Sequence, residues 1–551
     1  MKFKFALLAF AATGLLAVSI DAQSYAITNA RIVLVSGPTI EKGTVVVRDG
    51  LIAAVGVDAK APNDAQVFDG TGLTVYPGFI DALTNVGMQT RTPAAPTGAA
   101  GAAAASVQQS ATQTNSNYPA GLRPELIAMD DLRGGDAQFE SVRNAGFTTV
   151  VTVGRTGIFN GRSAIIDLAG ESVSGMIVRE PFAEHVSFTT IGGGVYPGSL
   201  LGTFSALRQM FLDAQRLQEL QKMYAANPRG MKRPDADQSL EALFPIINRQ
   251  MPVVFNANRE IEIVRALDFA KEFNLKAIIG GGQESWKVAD RLKAQDVPVL
   301  LSLNYPKRTA AASSDADPDS MDLLRFRAET PKAAAKLQQA GVRFAFQSGG
   351  ATALAEFFSN AGKAVENGLS RDAAIRSMTL SSAEILGVGD RLGSIETGKI
   401  ANLTVVKGDL LGKDRVVSNV FVDGRPFEQK LAAEKPSAGR PPAGTTAPAA
   451  TFAQVGGNYA ITIEVPGQQL TGTLALTQQA AVLTGSLQTQ LGTSPLKDGK
   501  VTAEGFSFSA TVEFGGSQIE INVKGTVTGN QVSGTIDSPQ GTVPFSGTRN
   551  P

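Results

Sequence analysis

A chain of 551 residues is longer than a single hydrophobic core usually serves, so two or three domains are expected. Its 43% hydrophobic and 18% charged residues are typical of folded proteins and exclude global disorder. The 50 basic residues balance the 50 acidic ones, which argues against nucleic acid as a partner, and the absence of Cys excludes disulfides and thiol chemistry.

The first 22 residues have the pattern of an export signal. Lys2 and Lys4 form a basic end, residues 5–20 are apolar, and Ala22 is a small residue at the expected cleavage point. The apolar stretch is shorter than the roughly 20 residues that a membrane-spanning helix needs. We therefore expect a protein secreted across the inner membrane, periplasmic or associated with the envelope, with no transmembrane span in the mature chain.

Short β-branched runs follow the signal and return near residue 400. Residues 44–48 and 51–55 are joined by Asp49-Gly50, a dipeptide typical of tight hairpins. A similar pair of β-branched runs lies at residues 403–406 and 416–422, and Asp423-Gly424 follows the second run. Half-sheets at the two ends of a long segment predict one composite β-sandwich domain, built from residues 23–72 and 390–430.

The segment between the half-sheets alternates strand and helix patterns. Apolar runs typical of strands buried on both faces lie at residues 147–153, 253–255, 277–279, 297–303 and 342–346. Helical periods separate them, such as the apolar face of Ile263, Leu267 and Ala270. Thr330-Pro331 predicts a helix start and Gly341 its end. This alternation of strand and helix patterns predicts an α/β fold, a TIM-type (β/α)₈ barrel, over residues 73–389.

Two segments lack periodicity. Residues 89–120 predict a flexible loop, and residues 431–451 a Pro/Ala-rich linker. Beyond the linker, residues 452–551 alternate as strands do, and a repeated pattern places Gly472, Gly485 and Gly534 inside strands, where a close backbone approach is the usual reason. We predict a small all-β antiparallel barrel or sandwich of about eight strands.

Motifs at both ends of the barrel segment resemble a known superfamily. Pro-Gly-Phe-Ile-Asp at residues 77–81 is similar to the first barrel strand of amidohydrolases, where such a run leads into His-x-His. Residues 381–387 and 393–403 resemble the closing helix of that superfamily and its return to the composite domain. The resemblance covers about residues 25–427 and is closest to imidazolonepropionase-like amidohydrolases. It implies hydrolysis of non-peptide C–N bonds with zinc or another divalent metal.

The resemblance also implies where metal ligands would stand. The first-strand histidine positions hold Leu83 and Asn85, the fifth-strand position is Asn256, the sixth falls near Gly281, and the eighth becomes Gly349. Imidazoles and carboxylates hold such an ion while it lowers the pKa of bound water. Leu and Gly provide no ligand atom, and the chain contains one His and no Cys. A His-based site cannot be assembled within one copy, so we expect no metal cofactor and no catalytic residue.

Other candidate residues have simpler interpretations. His185 beside Glu184 has the chemistry of a general base, but a surface-loop histidine is the favoured interpretation. Asp81 is assigned a structural, hydrogen-bonding role. A candidate pocket is predicted from four polar residues that follow the fifth strand, and these residues equally suit the start of a helix: Asn256, Asn258, Arg259 and Glu260.

Three hypotheses of function remain open. The first is a non-catalytic homologue, a pseudoenzyme, that partners an active amidohydrolase paralogue or binds a small ligand in the pocket where the resemblance places the metal site. The second is a divergent hydrolase of amides or cyclic amides that uses another metal arrangement or a site completed by another chain. The third is an envelope-binding protein that acts through its C-terminal β-domain, in which Tyr459, Phe506 and Phe508 alone do not make an aromatic platform.

Overall fold

The structure is a computed structural model. It describes residues 24–88, 118, 121–135, 137–170, 172–189, 196–307, 319–428, 453–465, 468–479, 482–489, 492–502, 505–514, 517–538 and 541–549. The predicted export signal, most of the predicted loop 89–120 and the predicted linker 431–451 lie outside the described residues. The chain divides into two compact units, Met1–Ala433 and Glu434–Pro551.

The first unit mixes strands and helices. Its strands are Ser24–Ile32 (β1), Ile40–Arg48 (β2), Leu51–Gly56 (β3), Gln66–Asp69 (β4), Leu73–Pro77 (β5), Phe79–Thr84 (β6), Phe147–Thr152 (β7), Phe159–Arg162 (β8), Ala164–Asp167 (β9), Ile177–Arg179 (β10), Glu184–Ser187 (β11), Val253–Ala257 (β12), Ala277–Gly281 (β13), Val299–Ser302 (β14), Phe344–Gln347 (β15), Leu403–Lys407 (β16), Val416–Val422 (β17) and Arg425–Glu428 (β18).

The helices of this unit lie mainly between the barrel strands. They are Ala128–Asp131 (α1), Ala137–Asn144 (α2), Val173–Met176 (α3), Leu200–Ala226 (α4), Gln238–Ala242 (α5), Phe244–Ile247 (α6), Glu260–Glu272 (α7), Ala289–Ala294 (α8), Met321–Glu329 (α9), Ala333–Ala340 (α10), Phe357–Glu366 (α11), Arg371–Ser377 (α12) and Leu380–Leu386 (α13), with 3-10 helices at Ser285–Val288, Thr330–Lys332 and Ala351–Glu356.

One eight-stranded sheet combines strands from both ends of the unit. Its order is β18-β17-β16-β5-β1-β2-β3, with β4 beside β1. Asp49 and Gly50 turn between β2 and β3 with φ of +53° and +80°, and Asp423 and Gly424 turn between β17 and β18 with +49° and +73°. Positive φ at both central residues is typical of tight hairpins, which explains the two Asp-Gly pairs. The composite architecture predicted from the sequence is confirmed.

The barrel strands form two sheets that lie side by side, β10-β9-β7-β6 and β15-β14-β13-β12-β11-β8. β6 pairs with β7 in parallel, and β11 to β15 form a parallel series. β15 lies beside β6, where the Gly349 amide donates to the Leu83 carbonyl at 3.1 Å. The predicted TIM-type barrel is confirmed.

One place in the barrel departs from the parallel pattern. β9 runs antiparallel to β7, and β8 runs antiparallel to β11. β7 ends at Thr152 and its antiparallel neighbour β9 begins at Ala164. The residues between them are fewer than the dozen or more that a crossover between parallel neighbours needs, so the chain turns back instead.

Apolar side chains fill the barrel interior and the space between strands and helices. Buried residues of β6, β7, β12 and β13, among them Ile80 and Val254, form the interior cluster. On the outside, α7 buries its predicted face of Ile263, Leu267 and Ala270 against the strands. The barrel is therefore a packed core, open only at its ends.

The predicted helix start at Thr330 falls at the junction of two helices. Thr330–Lys332 is a 3-10 turn that joins α9 to α10, and the Thr330 Oγ1 donates to the Phe326 carbonyl of α9 at 2.6 Å. The predicted end is confirmed, since Gly341 follows α10 with φ of +70°.

The second unit is a closed antiparallel barrel. Its strands are Gly457–Val465 (β19), Gln468–Gln479 (β20), Val482–Thr489 (β21), Gly492–Pro495 (β22), Lys497–Val501 (β23), Phe506–Phe514 (β24), Ser517–Thr528 (β25), Gln531–Ser538 (β26) and Gly541–Arg549 (β27). Pairing of β20 with β21 closes a ring of eight strands, and β22 adds to β21. The predicted eight-stranded β-domain is confirmed.

Within this unit, the glycines of the repeated pattern allow close strand contact. A Cβ atom added to Gly485 would overlap the Ala475 carbonyl oxygen, and one added to Gly534 would overlap that of Lys524. Tyr459, Phe506 and Phe508 are buried in the core of this barrel. Because these three rings face inward, they form no surface platform.

No helix within the described ranges combines the length and apolarity needed to cross a bilayer.

Candidate ligand site at the mouth of the barrel

A cavity of about 330 Å³ opens at the carboxyl ends of the barrel strands. This is the face on which TIM-type barrels carry their sites. The lining residues come from the ends of β6, β11, β12, β13, β14 and β15, from β8 and from the segment after β7: Leu83, Thr84, Val153, Gly154, Arg155, Asn160, Ser187, Asn256, Asn258, Gly280, Gly281, Ser302, Asn304, Gln347 and Gly349.

The positions that the resemblance assigns to metal ligands meet at this cavity. Leu83, Asn256, Gly281 and Gly349 line it. Asn85 lies at its edge, where its Oδ1 would be 3.1 Å from a Cβ added to the residue after Gly349. Positions at the ends of four barrel strands, β6, β12, β13 and β15, therefore converge on one place.

A hydrogen-bonded group of neutral side chains forms one wall. The Ser187 hydroxyl donates to Asn160 Oδ1 at 2.6 Å, and Asn256 Nδ2 donates to the same oxygen at 3.0 Å and to Ser187 Oγ at 3.1 Å. Asn160 Nδ2 in turn donates to the Gly157 carbonyl at 3.1 Å. Amides and hydroxyls do not ionise near neutral pH, so this wall is polar and uncharged.

The donor set does not fit the divalent metal that the resemblance implies. Leu83, Gly281 and Gly349 carry no side-chain donor, and Asn256 uses its amide nitrogen in the polar wall. Within the described residues, no three His, Cys, Asp or Glu side chains come together as a metal group would require. Zinc and its neighbours bind imidazole, thiolate or carboxylate, and the described lining residues of the cavity carry none of these groups.

The glycine at the sixth-strand position is required by the local structure. Gly281 has φ of +91°, and a Cβ atom at this position would clash with Asn258 Oδ1. A side chain here would need both a strained backbone and a displaced neighbour. The local structure at the cavity mouth therefore requires Gly281, which has no side chain to bind a metal ion.

Asp81 connects the first and last barrel strands beneath the cavity. It is fully buried, and it accepts hydrogen bonds from the Ser348 amide at 2.8 Å, from the Ser348 hydroxyl and from the Leu83 amide at 3.4 Å. Burial raises the pKa of Asp81 to about 6, against the opposing effect of the Ser348 hydrogen bonds. These contacts agree with the structural role expected for Asp81.

His185 is a buried residue of the barrel, so the surface-loop interpretation is wrong. It lies on β11, fully buried, with Nε2 2.9 Å from Ser163 Oγ. Burial lowers the pKa of His185 to about 3, which keeps the ring neutral. Glu184 is equally buried, and burial raises its pKa well above the usual range. Neither residue lines the cavity.

The four residues of the predicted pocket separate into two pairs. Asn256 and Asn258 line the mouth cavity. Arg259 instead lines a second cavity of about 710 Å³, with its guanidinium 3.9 Å from the Phe326 ring centre. Glu260 is exposed, and its amide donates to a Glu284 carboxylate oxygen at 2.9 Å.

Several lining residues were not predicted. Ser187 and Gln347 are the last residues of β11 and β15, and Arg155 follows β7. A rule that selects polar residues at strand ends would have found these three. Asn160 lies on the antiparallel strand β8, whose place in the barrel the sequence did not predict.

Comparison with known proteins agrees with this architecture. Residues 305–427 match the model of the amidohydrolase family. A curated relative, amidohydrolase tasK of Hapsidospora irregularis, is 24% identical over 416 residues. Over these residues the chain is similar to amidohydrolases. The match to tasK covers 72% of this chain and 41% of tasK, so it spans less than half of that relative's length.

Solved structures show the same fold as this amidohydrolase homologue. An amidohydrolase from Thermotoga maritima superposes with a TM-score of 0.61 at 24% identity, covering 74% of this chain and 100% of its own. At this identity the likeness concerns the fold alone. An adenosine deaminase from Xanthomonas campestris with bound zinc has a TM-score of 0.41 at 18% identity over 73% of this chain and 92% of its own, which supports no argument.

Proposed function

We propose that this amidohydrolase homologue is a non-catalytic binding protein that holds a small molecule at the barrel mouth without a metal ion. One observation carries the proposal. The positions that would hold a metal converge on a single cavity, and they carry Leu, Asn and Gly in place of ligating side chains.

The cavity also lacks a group that would activate water. Among its described lining residues, Arg155 is the one charged side chain, and no carboxylate or imidazole is present. A metal lowers the pKa of bound water from 15.7 to about 7, and a general base must otherwise lie within hydrogen-bond reach of the attacking water. Neither means of hydrolysis is available from these residues.

Binding of a small molecule suits the size and chemistry of the cavity. Its volume of about 330 Å³ lies at the small end of the range of ligand pockets. The wall of Asn160, Ser187 and Asn256 fixes its own side chains through mutual hydrogen bonds. Such preorganised polar groups reduce the entropy that binding must overcome.

The binding experiment separates this proposal from a metal-dependent one. A library of small metabolites is screened by thermal shift with protein treated with EDTA and with untreated protein, and hits are measured by calorimetry. We expect the same hits in both samples, and no change in their chemical structure on prolonged incubation. Loss of all binding after EDTA treatment, or release of an amine or acid product, would overturn the proposal.

A pair of Asn variants locates the binding site. Asn256→Leu removes the amide from the polar wall and should weaken every hit by about tenfold or more. Asn367→Leu changes an exposed asparagine after α11 and serves as the matched control. Equal affinity in both variants would place binding elsewhere.

We also propose that the chain is exported. The support is the basic and apolar pattern of its first 22 residues, with Ala22 at the cleavage point. N-terminal sequencing of protein from the periplasmic fraction should begin at Gln23. Recovery of the whole chain from the cytosol with Met1 intact would contradict export.

A further inference from the structure

Among the described lining residues, Arg155 is the one cationic side chain at the mouth of the cavity. Arg155 follows β7, and its guanidinium lies over the backbone of the loop after β15. A Cβ atom added to Gly350 would be 2.5 Å from Arg155 Nη2, so the absence of a side chain at Gly350 makes room for the guanidinium. The arginine remains accessible to solvent.

The charge of Arg155 is not matched by a described acidic partner at the cavity. The negative charge of Asp81 acts on Arg155, but the Asp81 carboxylate is fully buried and accepts hydrogen bonds from Ser348 and Leu83. No described residue forms an ion pair with the guanidinium. The N–H groups of Arg155 are thus free, as far as the described residues go, for a ligand.

Two buried oxygen atoms in the lining also lack partners. Gln347 Oε1 and Thr84 Oγ1 accept no hydrogen bond within the described residues, although both side chains are buried to more than nine-tenths. Gln347 Nε2 donates to the Leu300 carbonyl at 3.3 Å, which leaves Oε1 as the available acceptor. Buried polar atoms nearly always find a partner, so a donor from outside the protein is expected there.

The empty space beside Gly349 connects these groups. A Cβ atom at Gly349 would lie 3.4 Å from Gln347 Oε1 and 4.0 Å from Arg155 Nη2. One small molecule in this space would therefore reach both the Arg155 guanidinium and Gln347 Oε1. The resemblance assigns this position to a carboxylate residue, and the glycine leaves its volume open.

We propose that the ligand is a small carboxylate that also carries an N–H or O–H donor. The carboxylate binds Arg155, and the donor binds Gln347 Oε1 in the space beside Gly349. Arginine forms two parallel hydrogen bonds with a carboxylate more readily than with a neutral amide. The proposal rests on the proposed function, because it names the ligand of the same metal-free cavity.

Three probes test the two contacts separately. N-acetylglycine has both groups, N-acetylglycinamide lacks the charge, and N-acetylsarcosine lacks the N–H. Binding to EDTA-treated protein is measured by ligand-observed NMR at millimolar concentration. We expect N-acetylglycine to bind about tenfold or more tightly than the amide, and about threefold or more tightly than the sarcosine compound.

Variants assign each preference to a residue. Arg155→Gln should remove the preference for acid over amide, and Gln347→Met should remove the preference for the N–H compound. Gly349→Asp places a carboxylate beside Arg155 within the chain, in a backbone conformation that Asp tolerates, and should abolish binding of N-acetylglycine. Arg325→Gln, at an exposed arginine of α9, is the control and should bind as the unaltered protein does.

The outcomes distinguish this inference from the proposed function. If the metabolite screen finds neutral or cationic ligands whose affinity Arg155→Gln leaves unchanged, metal-free binding stands and the carboxylate inference is overturned. Failure of all three probes to bind, or equal binding of acid and amide, also overturns it. If acids bind only when a metal is added, the proposed function fails as well.

Discussion

At the barrel mouth, single side chains determine which chemistry is available. Asn256 stands at a position where the resemblance implies a histidine, and its amide joins a neutral wall with Asn160 and Ser187. An amide that donates two hydrogen bonds within the protein orients a ligand but does not activate water. Under the proposed function, a cavity lined by such neutral groups serves recognition of a ligand and not its reaction.

The sequence predicted part of this site at the level of residues. It placed Leu83, Asn256, Gly281 and Gly349 at strand ends, and all four line the cavity. It did not predict Arg155 or Gln347, although both lie at strand ends, and it does not show the free space beside Gly349 that lies between them. It also gave His185 the wrong environment, since one isolated histidine carries no sign of whether its strand is buried.

A pH prediction belongs to Asp81. The pKa of Asp81 is about 6 in the folded chain and about 3.9 when unfolded. Between these values the folded state binds the proton more tightly, so the contribution of Asp81 to the free energy of unfolding is largest below about pH 4 and is lost as the pH rises through 6. The loss is on the order of 3 kcal/mol.

Asp81→Asn should remove this part of the pH dependence, because Asn does not titrate and still accepts the Ser348 amide. Urea unfolding followed by Trp286 fluorescence at several pH values measures it. Asp268→Asn, at an exposed side chain, is the control. An unchanged slope in Asp81→Asn between pH 4 and 6 would show that the folded-state pKa is not raised.

At the level of elements, local signals predicted what they determine directly. The Asp-Gly pairs predicted both hairpins of the composite sheet, and Gly341 predicted the end of α10. The antiparallel course of β8 and β9 was not predicted, although for β9 the short connection from Thr152 to Ala164 favours it. Apolar runs indicate burial but not strand direction, so direction must be inferred from the length of connections.

An element-scale prediction concerns the strand glycines of the second unit. Gly534→Ala should destabilise this unit by about 1–3 kcal/mol, because the added methyl group would overlap the Lys524 carbonyl and force β25 and β26 apart. Gly456→Ala is the control, since the nearest atom to its added Cβ is 3.6 Å away. Far-UV circular dichroism during chemical unfolding measures both variants, and equal midpoints would contradict the close approach of these strands.

At the scale of the molecule, two units with separate hydrophobic cores should unfold separately. The first unit holds the only Trp of the chain, Trp286, close beneath the Lys336 ammonium. Fluorescence therefore reports on the first unit alone, whereas far-UV circular dichroism reports on both. We expect the two signals to give different unfolding midpoints, with the dichroism transition in two steps.

The same experiment has a built-in control. In Gly534→Ala the fluorescence midpoint should stay in place while one step of the dichroism transition moves to lower denaturant. A single coincident transition by both signals would show that the units unfold as one cooperative body. In that case the separate description of Met1–Ala433 and Glu434–Pro551 would need revision.

We propose that this chain folds with a barrel mouth that holds no metal ion. The most direct measurement is the metal content, by mass spectrometry, of protein expressed with added zinc and manganese and purified without chelators. We predict far less than one ion per chain, with no difference between the unaltered protein and Asn256→Leu. One or more ions per chain that persist through dialysis and are lost in Asn256→Leu would contradict the claim.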